Sequence, residues 1–418
     1  MLSIIIPAWN EADNLALLLP QLREILADLG GESEILVADN DSPDATAAIC
    51  RREGVRCLSV GGPGYGRALR AGFAAARGEY LLTMDADLSH PAAFIRTLWE
   101  HRSRADVVIA SRYLREGEAD MPPLRLFLSR LLNWSFRKAL DVSIRDLSSG
   151  FRLYRREVIQ EVAPTGRDFN VLQEILFKAY SKGFRVLEVP FHYHRRESGR
   201  SHARLLAFGV HYIRTFWSMW RLRNSIASGD YDRRAFDSRI PLQRWWQRRR
   251  HKIIVAWANG GGPALDIGCG SSRILDGLPP GSLGVDPSLA SLRYARLSGR
   301  LVVAGALPRI PVRDGLFPTV VCSQVIEHIP RDAENFDEFS RLVAPGGILI
   351  VGTPDYARLA WRLTEWCYRH LIPGGYADEH ITHYTRDSLQ SELRQRGFRV
   401  LEERYVGGGE LILRCRKE

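Results

Sequence analysis

The sequence predicts two α/β domains in succession, each built on a mostly parallel β-sheet wound with helices. The chain has 418 residues, more than one ordinary hydrophobic core usually holds. Each half opens with a short apolar strand and a polar or glycine-rich turn: residues 2–6 precede Pro-Ala-Trp-Asn, and residues 264–267 precede Gly-Cys-Gly. Alternating strand and helix patterns follow both turns, which is typical of parallel sheets.

The remaining strands are predicted from short apolar runs. They cover residues 34–38, 80–84, 107–110 and 185–189 in the first half, and residues 282–285, 319–322 and 347–352 in the second. A polar, arginine-rich stretch at 224–252 runs between the halves. We place the boundary near Ser228, which gives domains at 1–227 and 228–418.

The bulk composition restricts the class of protein. Hydrophobic residues make up 45% and charged residues 25%, as in ordinary globular proteins. Six scattered cysteines without a Cys-x-x-Cys pair argue against a zinc site or a disulfide framework and for a reducing cytosol. The first strand starts almost at Met1, and no apolar run reaches the roughly 18–20 residues of a spanning helix. We therefore expect a cytoplasmic protein, and its net charge of +10 suits an anionic partner.

Two carboxylates, Asp85 and Asp87, directly follow the predicted strand at 80–84. The carboxyl ends of parallel strands are where α/β sheets bind ligands. Oxygen ligands at this spacing suit Mg²⁺ or Mn²⁺ bridging a diphosphate. The alternative is a solvated turn with helix-capping aspartates.

Polar turns also follow the first two strands. Asn10 and Glu11 lie in the first turn and Asp39 in the second, where it could accept hydrogen bonds from a nucleobase or ribose. Asp39 could instead cap a helix, although Ser42 or Asp44 would do so better. A glycine-rich run at 61–66 adds a loop whose backbone could approach phosphates closely.

Taken in order, these blocks resemble the family-two glycosyltransferases of the GT-A fold, in the branch of dolichol-phosphate mannose synthase and its bacterial polyprenyl-phosphate relatives. The resemblance covers about residues 1–222. It includes Ser-Arg-Tyr at 111–113, Asp-Leu-Ser-Ser-Gly-Phe-Arg at 146–152 and Arg-Glu-Ser-Gly-Arg-Ser at 196–201. It implies metal-dependent, inverting transfer of a sugar from a nucleotide-sugar to a polyprenyl phosphate.

The resemblance also implies roles for single positions. The residues implied to bind the nucleotide-sugar are Pro7, Asn10, Glu11, Asp39 and Asp85. The implied catalytic set is Asp85 and Asp87 as metal ligands, with Arg112 and Arg196 facing the acceptor phosphate beside His202. Ser89 stands where relatives often carry a glutamine metal ligand, and His202 where they often carry lysine.

Two stretches, near 124–140 and 204–223, are predicted to be amphipathic helices. The second places Phe216, Trp217 and Trp220 among arginines. Such a helix can lie in a bilayer interface, so we expect peripheral association with the cytosolic membrane face. Core packing or a dimer contact is the alternative.

The second half presents a glycine turn, Ala-Leu-Asp-Ile-Gly-Cys-Gly at 264–270, and Asp286 at the end of the next strand. Glycine allows the sharp turn against a cofactor, and the acid could bind ribose hydroxyls. These two features would suit NAD equally well. The later blocks Cys-Ser-Gln-Val-Ile-Glu-His-Ile at 322–329 and Leu-Val-Ala-Pro-Gly-Gly-Ile-Leu-Ile-Val at 342–351 decide between the cofactors.

Together these blocks resemble the Rossmann-like class I S-adenosylmethionine-dependent methyltransferases over about residues 229–418. The resemblance implies S-adenosylmethionine as the cofactor, bound by Asp266, Gly268, Gly270, Asp286, Ser323 and Gln324. His328, His380 and His383 are candidate bases near the acceptor, although a structural histidine is the commoner case. His380 and His383 are spaced like a metal pair, but we predict no metal there because a matching third ligand is not apparent.

The sequence therefore predicts a bifunctional enzyme that transfers a sugar to a lipid phosphate and methylates an unidentified acceptor. One alternative is a saccharide hydroxyl as the sugar acceptor, with Asp146 as the base. Another is a scaffold or nucleic-acid-binding protein, favoured by Trp245 and Trp246 in the basic run 244–250. We expect no nucleic-acid partner, because the aspartates of both sites would repel phosphates in the absence of a cation.

Overall fold

The computed structural model describes residues 1–120, 122–193, 205–371 and 380–418. The chain divides into two compact units. The first comprises residues 1–180 and 184–220, and the second comprises residues 181–183 and 221–418.

The first unit is built on one large sheet and one short strand pair. Its strands are β1 (Leu2–Ala8), β2 (Ser33–Asp39), β3 (Arg56–Ser59), β4 (Tyr80–Thr83), β5 (Val107–Ser111), β6 (Glu118–Ala119), β7 (Arg152–Arg155), β8 (Val186–Pro190) and β9 (His192–Tyr193). The large sheet has the order β3-β2-β1-β4-β7-β5-β8, and β6 pairs with β9. Only β7 runs antiparallel to its neighbours in the large sheet, so β1, β2 and β4 end at the same edge.

Helices cover this sheet because their apolar residues recur every three or four positions. In α1 (Ala12–Leu29), for example, Leu15, Leu18 and Leu22 are buried in the core beneath β1. The other helices are α2 (Thr46–Arg52), α3 (Tyr65–Ala75), α4 (Phe94–Glu100), α5 (Pro123–Leu140), α6 (Arg156–Val162), α7 (Asn170–Ser181) and α8 (Leu205–Arg223).

The second unit contains another seven-stranded sheet. Its strands are β10 (Ala264–Ile267), β11 (Leu283–Asp286), β12 (Leu301–Ala304), β13 (Phe317–Ser323), β14 (Val343–Pro354), β15 (Phe398–Val406) and β16 (Glu410–Lys417). Their order is β12-β11-β10-β13-β14-β16-β15, with β16 antiparallel to both neighbours and the other pairs parallel. The helices are α9 (Tyr231–Phe236), α10 (Pro241–Ala258), α11 (Ile274–Gly277), α12 (Leu289–Arg296), α13 (Ala333–Leu342), α14 (Leu359–Leu371) and α15 (Arg386–Gln395), with a 3₁₀ turn at Ile326–His328.

The predicted α/β class is confirmed, and each predicted strand overlaps an observed one. The sequence did not predict β3, β6, β7, β9, β12, β15 and β16. Two of these omissions have a clear cause: β7 contains the buried Arg152, and β15 contains three consecutive charged residues at 402–404. In the described part of the chain, no helix is both long enough and apolar enough to cross a bilayer.

Candidate active sites

The turns after β1 and β2 are tied together at the carboxyl edge of the first sheet. The backbone N–H of Asn10 donates to Ser42 Oγ at 2.8 Å, and that of Glu11 donates to Thr46 Oγ1 at 3.1 Å. Asn10 has a left-handed φ of 58°, which turns the chain sharply away from Pro7 at the end of β1. The residues predicted to hold the nucleoside therefore share one rigid edge.

Asp39, at the end of β2, is buried and joins the same network. Its Oδ1 accepts the backbone N–H of Ser42 at 3.2 Å, and the Ser42 hydroxyl also bonds to it. Asp44, in contrast, accepts the backbone N–H groups of Thr46 at 2.9 Å and Ala12 at 3.1 Å. Asp44 therefore satisfies the backbone N–H groups at the starts of α1 and α2. Asp39 is held at the edge of the sheet.

Asp85 follows β4 at the same edge, beside a space that a glycine keeps open. Its Oδ1 accepts the Tyr65 hydroxyl at 3.1 Å, and its backbone N–H donates to His90 Nδ1 at 3.0 Å. A Cβ on Gly150 would lie 2.6 Å from Tyr65 Oη and 3.4 Å from Asp85 Oδ1. Any larger residue would fill the space beside this carboxylate.

Asp87 is only 4% exposed, and Ser89 orients it. Asp87 Oδ1 accepts the backbone N–H of Ser89 at 3.1 Å and its hydroxyl at 2.5 Å. Ser89 therefore supports Asp87. Asp85 lies beside the space at Gly150, and the oriented carboxylate of Asp87 follows two residues later. Together they offer the oxygen ligands that a divalent cation prefers.

Arg112, at the end of β5, forms a two-bond ion pair with Asp146. Its Nε lies 2.8 Å from Asp146 Oδ2 and its Nη2 lies 2.8 Å from Oδ1, while Nη2 also donates to Ser148 Oγ at 2.8 Å. Burial acts to raise the pKa of Asp146, but Arg112 and the neighbouring N–H groups outweigh it and hold the pKa below its usual range. Arg196 and His202, the other residues implied at the acceptor, lie outside the described residues.

In the second unit, the turn after β10 is closed by two left-handed glycines. Gly268 and Gly270 have φ values of 67° and 51°, and a Cβ on Gly268 would collide with the Val325 side chain. The N–H of Gly270 donates to Asp286 Oδ2 at 2.8 Å. The glycine turn, Asp286 and the segment after β13 therefore lie together, as the sequence predicted.

Several polar atoms around this turn are buried without a hydrogen-bond partner in the described part of the chain. They are Asp266 Oδ2, Ser271 Oγ, Ser323 Oγ and Gln324 Nε2. Leaving such an atom unsatisfied costs about 1–3 kcal/mol. The amino, carboxylate and hydroxyl groups of S-adenosylmethionine are the kind of groups that would satisfy them, so these residues fit that cofactor.

Asp266 has an unusual electrostatic environment. Burial, together with the carboxylates of Asp286 and Asp232, raises its pKa to about 8. Burial also raises the pKa of Asp286. Three carboxylates around one turn suit a ligand that carries positive charge, as the sulfonium and ammonium groups of S-adenosylmethionine do.

Two histidines from separate segments of the second unit lie close to Glu327. One ligand atom each from Glu327, His328 and His380 lies within 4.8 Å of the others. Burial raises the pKa of Glu327 to about 8, and burial with the neighbouring His328 and His383 lowers the pKa of His380 to about 4. His383 is not part of this group, so the prediction of no metal at the pair His380 and His383 stays a prediction.

Comparison with known proteins gives a family to each unit. The model of glycosyl transferase family 2 matches residues 3–163, and a methyltransferase-domain model matches residues 233–403. The polyprenol monophosphomannose synthase of Mycolicibacterium smegmatis is 34% identical over 218 residues, covering 47% of this chain and 79% of that protein. This chain belongs to glycosyl transferase family 2.

Two further relatives of the glycosyltransferase are similar over the same half of the chain. The dolichol-phosphate mannosyltransferase of Pyrococcus furiosus is 36% identical over 216 residues, which are 48% of this chain and 58% of that protein. The undecaprenyl-phosphate mannosyltransferase of Micrococcus luteus is 31% identical over 210 residues, which are 47% of this chain and 85% of that protein. The predicted fusion of a GT-A glycosyltransferase with a Rossmann-like class I methyltransferase is confirmed.

The structure of this glycosyltransferase adds site residues that the sequence reading missed. Tyr65 holds Asp85, and the Asp232 carboxylate lies so close to Gly270 that a Cβ there would collide with it. Tyr65 lies inside the glycine-rich run at 61–66, where the glycines alone predict a function. Asp232 lies in Gly-Asp-Tyr-Asp at 229–232, an acidic run at the start of the second predicted domain, and that run is the signal for it in the sequence.

Proposed function

We propose that the first domain transfers a sugar from a nucleotide-sugar to a polyprenyl phosphate, with inversion and with a divalent metal, and that the second domain transfers a methyl group from S-adenosylmethionine. The carboxyl edge of the first sheet is the observation on which the glycosyltransferase proposal depends. Asp39 lies there at the end of β2, and Asp85 and Asp87 follow β4, with β1 between these two parallel strands. Each of the three carboxylates is held by a hydroxyl group.

Asp85 and Asp87 would hold a Mg²⁺ or Mn²⁺ ion, which supplies positive charge against the diphosphate leaving group. Asn10, Glu11 and Asp39 would hold the nucleoside in the tied turns after β1 and β2. The buried hydroxyls of Tyr65 and Ser89 keep the two metal-binding carboxylates in place before the donor arrives.

A lipid phosphate is the acceptor that the site favours over a saccharide hydroxyl. A hydroxyl acceptor needs a base, and Asp146 was the carboxylate considered for that role. Its ion pair with Arg112 and its lowered pKa make it a poor proton acceptor. A phosphate oxygen is already anionic, so positioning and charge neutralisation would suffice. The names of the three relatives, all acting on lipid phosphates, support the same acceptor.

A membrane surface as the source of that acceptor is supported by one exposed apolar face. On α5, Ser129 bonds to the Tyr113 hydroxyl and Asn133 accepts the N–H of Leu147, so the polar side of the helix faces inward. The exposed side chains of α5 and α8 that form this apolar face are Phe127, Leu128, Leu131, Trp134, Ile213 and Trp217. The two helices contact each other through Phe136 and Phe216, whose ring centroids are 5.2 Å apart.

The charges beside this apolar face suit anionic lipid. Arg214 and Arg221 are exposed on α8 among its aromatic residues. An amphipathic helix with arginines beside tryptophans binds the interface of an anionic bilayer through both groups. We therefore propose peripheral binding at the cytosolic membrane face.

The scaffold and nucleic-acid alternatives lose part of their support, and of the two tryptophans behind them only Trp245 is exposed. Trp246 donates its indole N–H to Glu410 and packs against Gly407, and Arg250 forms two hydrogen bonds with the same carboxylate. The basic run therefore lies in a helix packed on its own domain.

The experiment is an acceptor comparison. The protein is incubated with Mg²⁺ or Mn²⁺, a panel of nucleotide-sugars and either a polyprenyl phosphate, the matching polyprenol or a free saccharide. We expect nucleoside diphosphate release and a lipid product heavier by one sugar with the phosphate only, and loss of both in chelator. A glycosylated saccharide, or release without a lipid product, would overturn the proposal.

A further inference from the structure

The cluster of Glu327, His328 and His380 has the composition of a metal site. Two imidazoles and one carboxylate bring ligand atoms within 4.8 Å of one another. Structural zinc sites usually have four protein ligands, whereas three ligands leave positions open for a small molecule. The same set with open positions also suits other divalent transition metals.

Glu327 presents a buried oxygen to this cluster. The residue is fully buried, and its Oε2 accepts the Thr353 hydroxyl at 3.2 Å. Its Oε1 is buried without a hydrogen-bond partner in the described ranges. A buried carboxylate oxygen left in this way is costly unless a cation or a donor completes it.

His380 is oriented for binding by a relay of hydrogen bonds. Its Nδ1 lies 2.8 Å from Tyr356 Oη, and the Tyr356 hydroxyl donates to Glu365 Oε1 at 3.0 Å. Because the tyrosine has one proton to give, His380 Nδ1 must be the protonated nitrogen, and Nε2 keeps its lone pair. Metal-binding histidines are commonly fixed in this way through the nitrogen that does not bind.

The backbone fixes the distance between the two segments that supply the cluster. The N–H groups of Ile381 and Thr382 donate to the carbonyl oxygen of Glu327 at 2.9 and 3.1 Å. This holds His380 beside the 3₁₀ turn that carries Glu327 and His328. The cluster is thus assembled by main-chain bonds, independent of a ligand.

The cluster also lies beside the turn proposed for S-adenosylmethionine. Val325, two residues before Glu327, lies against Gly268 so closely that a Cβ there would collide with it. Gln324 follows β13 with a left-handed φ of 61° and presents a buried Nε2 without a partner among the described residues.

We propose that Glu327, His328 and His380 bind one divalent transition-metal ion beside the methyl donor, with open positions for an oxygen atom of the methyl acceptor. The metal site stands on its own geometry, and its position beside the donor rests on the proposed S-adenosylmethionine site. A hydroxyl bound to such an ion loses its proton more readily, which generates the oxygen nucleophile. That oxygen forms the new O–CH₃ bond as the S–CH₃ bond breaks; the bonding pair stays on sulfur and the hydroxyl proton passes to water.

The test uses Co²⁺ as the probe on the full chain carrying Asp87→Ala, which removes the site proposed in the first domain. After chelation and dialysis, we expect about one Co²⁺ per chain with a ligand-field absorption band. Glu327→Gln and His380→Ala should abolish that band. Tyr356→Phe should weaken Co²⁺ binding about tenfold, because it removes only the support of the histidine.

His370→Ala is the matched control, since this histidine is exposed on α14 and outside the cluster. It should bind Co²⁺ as the parent does. S-adenosylmethionine binding by all variants, measured by equilibrium dialysis, reports on folding and on the proposed cofactor site. Retention of the Co²⁺ band in Glu327→Gln, with the cofactor still bound, would overturn the metal site.

A separate measurement tests whether the metal ion lies beside the methyl group of S-adenosylmethionine. Bound Co²⁺ should shift or broaden the NMR signal of the ¹³C-labelled methyl group of S-adenosylmethionine, and this effect should vanish in Glu327→Gln. A Co²⁺ band without any effect on the methyl signal would overturn the proposed position but leave the metal site. Failure of the cofactor to bind any variant would instead contradict the proposed methyltransferase function.

Discussion

The polar groups of the two sites differ in whether the chain itself supplies their hydrogen-bond partners. In the glycosyltransferase domain, hydroxyl groups of the chain hold the key carboxylates: Ser42 holds Asp39, Tyr65 holds Asp85 and Ser89 holds Asp87. In the methyltransferase domain, Asp266 and Gln324 keep buried atoms without partners among the described residues.

The difference concerns what each site needs before its ligand arrives. Carboxylates that are already oriented suit a metal ion, which supplies the positive charge and little geometry of its own. Unsatisfied buried atoms around a carboxylate with a raised pKa suit a cofactor that brings both hydrogen bonds and positive charge. The first site is thus organised in advance, and the second is completed by its cofactor.

The largest effect is expected from the first site. Asp87→Ala should lower sugar transfer roughly 10³-fold, because several kcal/mol of charge stabilisation at the diphosphate depend on the metal. The measurement is initial-rate nucleoside diphosphate release with Mg²⁺ and polyprenyl phosphate. Asp13→Asn, an exposed aspartate on α1, is the control and should keep the full rate. A fully active Asp87→Ala protein would show that the site needs no metal at this position.

The second prediction concerns the glycine turn. Gly268→Ala should weaken S-adenosylmethionine binding by about 10²-fold or more, because the added Cβ meets Val325 and moves the segment after β13. The control is Gly299→Ala: Gly299 has a similar left-handed φ of 73°, but open space surrounds it. Both variants carry the roughly 1–2 kcal/mol cost of a left-handed alanine, so only the collision separates them. Equal cofactor binding by both would contradict the packing of this turn.

The third prediction follows from the raised pKa of Asp266. S-adenosylmethionine should bind more tightly as pH rises towards about 8, by up to about tenfold per pH unit, because the cation prefers the ionised carboxylate. The folding stability of the cofactor-free protein depends on pH in the opposite direction. A carboxyl whose pKa is raised by folding makes the fold less stable as pH rises from about 4, the unfolded pKa, to about 8.

Calorimetric titration of the cofactor between pH 6 and pH 9 measures the effect. Asp266→Asn should bind more weakly at high pH and give a flatter profile, whereas Asp387→Asn, at an exposed aspartate on α15, should follow the wild type. A wild-type affinity that does not change with pH would show that Asp266 does not contact the charged cofactor.

The smallest expected effect concerns the apolar face of the first domain. Replacing Trp134 and Trp217 together with serine should weaken binding to anionic liposomes about tenfold, because a side chain at the bilayer interface is only partly removed from water and the pair then contributes about 1.4 kcal/mol. Trp245→Ser is the matched control, because Trp245 is an exposed tryptophan of the other domain. Co-sedimentation that depends on Trp245 and not on Trp134 and Trp217 would relocate the membrane contact.

Much of this organisation is predictable from sequence, for identifiable physical reasons. Asp85 and Asp286 were identifiable because each ends an apolar strand, and parallel strands bring such residues to one edge. β7 was not predicted because it contains an arginine, Arg152, which is typical of exposed segments. In the structure Arg152 is fully buried, and its guanidinium donates to the carbonyl groups of Leu147 and Leu172.

Contacts between distant segments could not be predicted from spacing. His380 lies close to His328, 52 residues away by the numbers 380 − 328, and the spacing of His380 and His383 in the sequence does not reveal this. His383 instead stacks on Tyr356 with ring centroids 4.0 Å apart. The ion pair of Arg112 with Asp146 likewise depends on how β5 meets the loop before β7.

The central claim is that one chain contains two working sites of different design, and parallel inactivation tests it most directly. Wild type, Asp87→Ala and Gly268→Ala would be assayed side by side for nucleoside diphosphate release and for S-adenosylmethionine binding. We predict that Asp87→Ala loses only the release and Gly268→Ala loses only the binding. Loss of both properties in either variant, or of neither in both, would contradict the account.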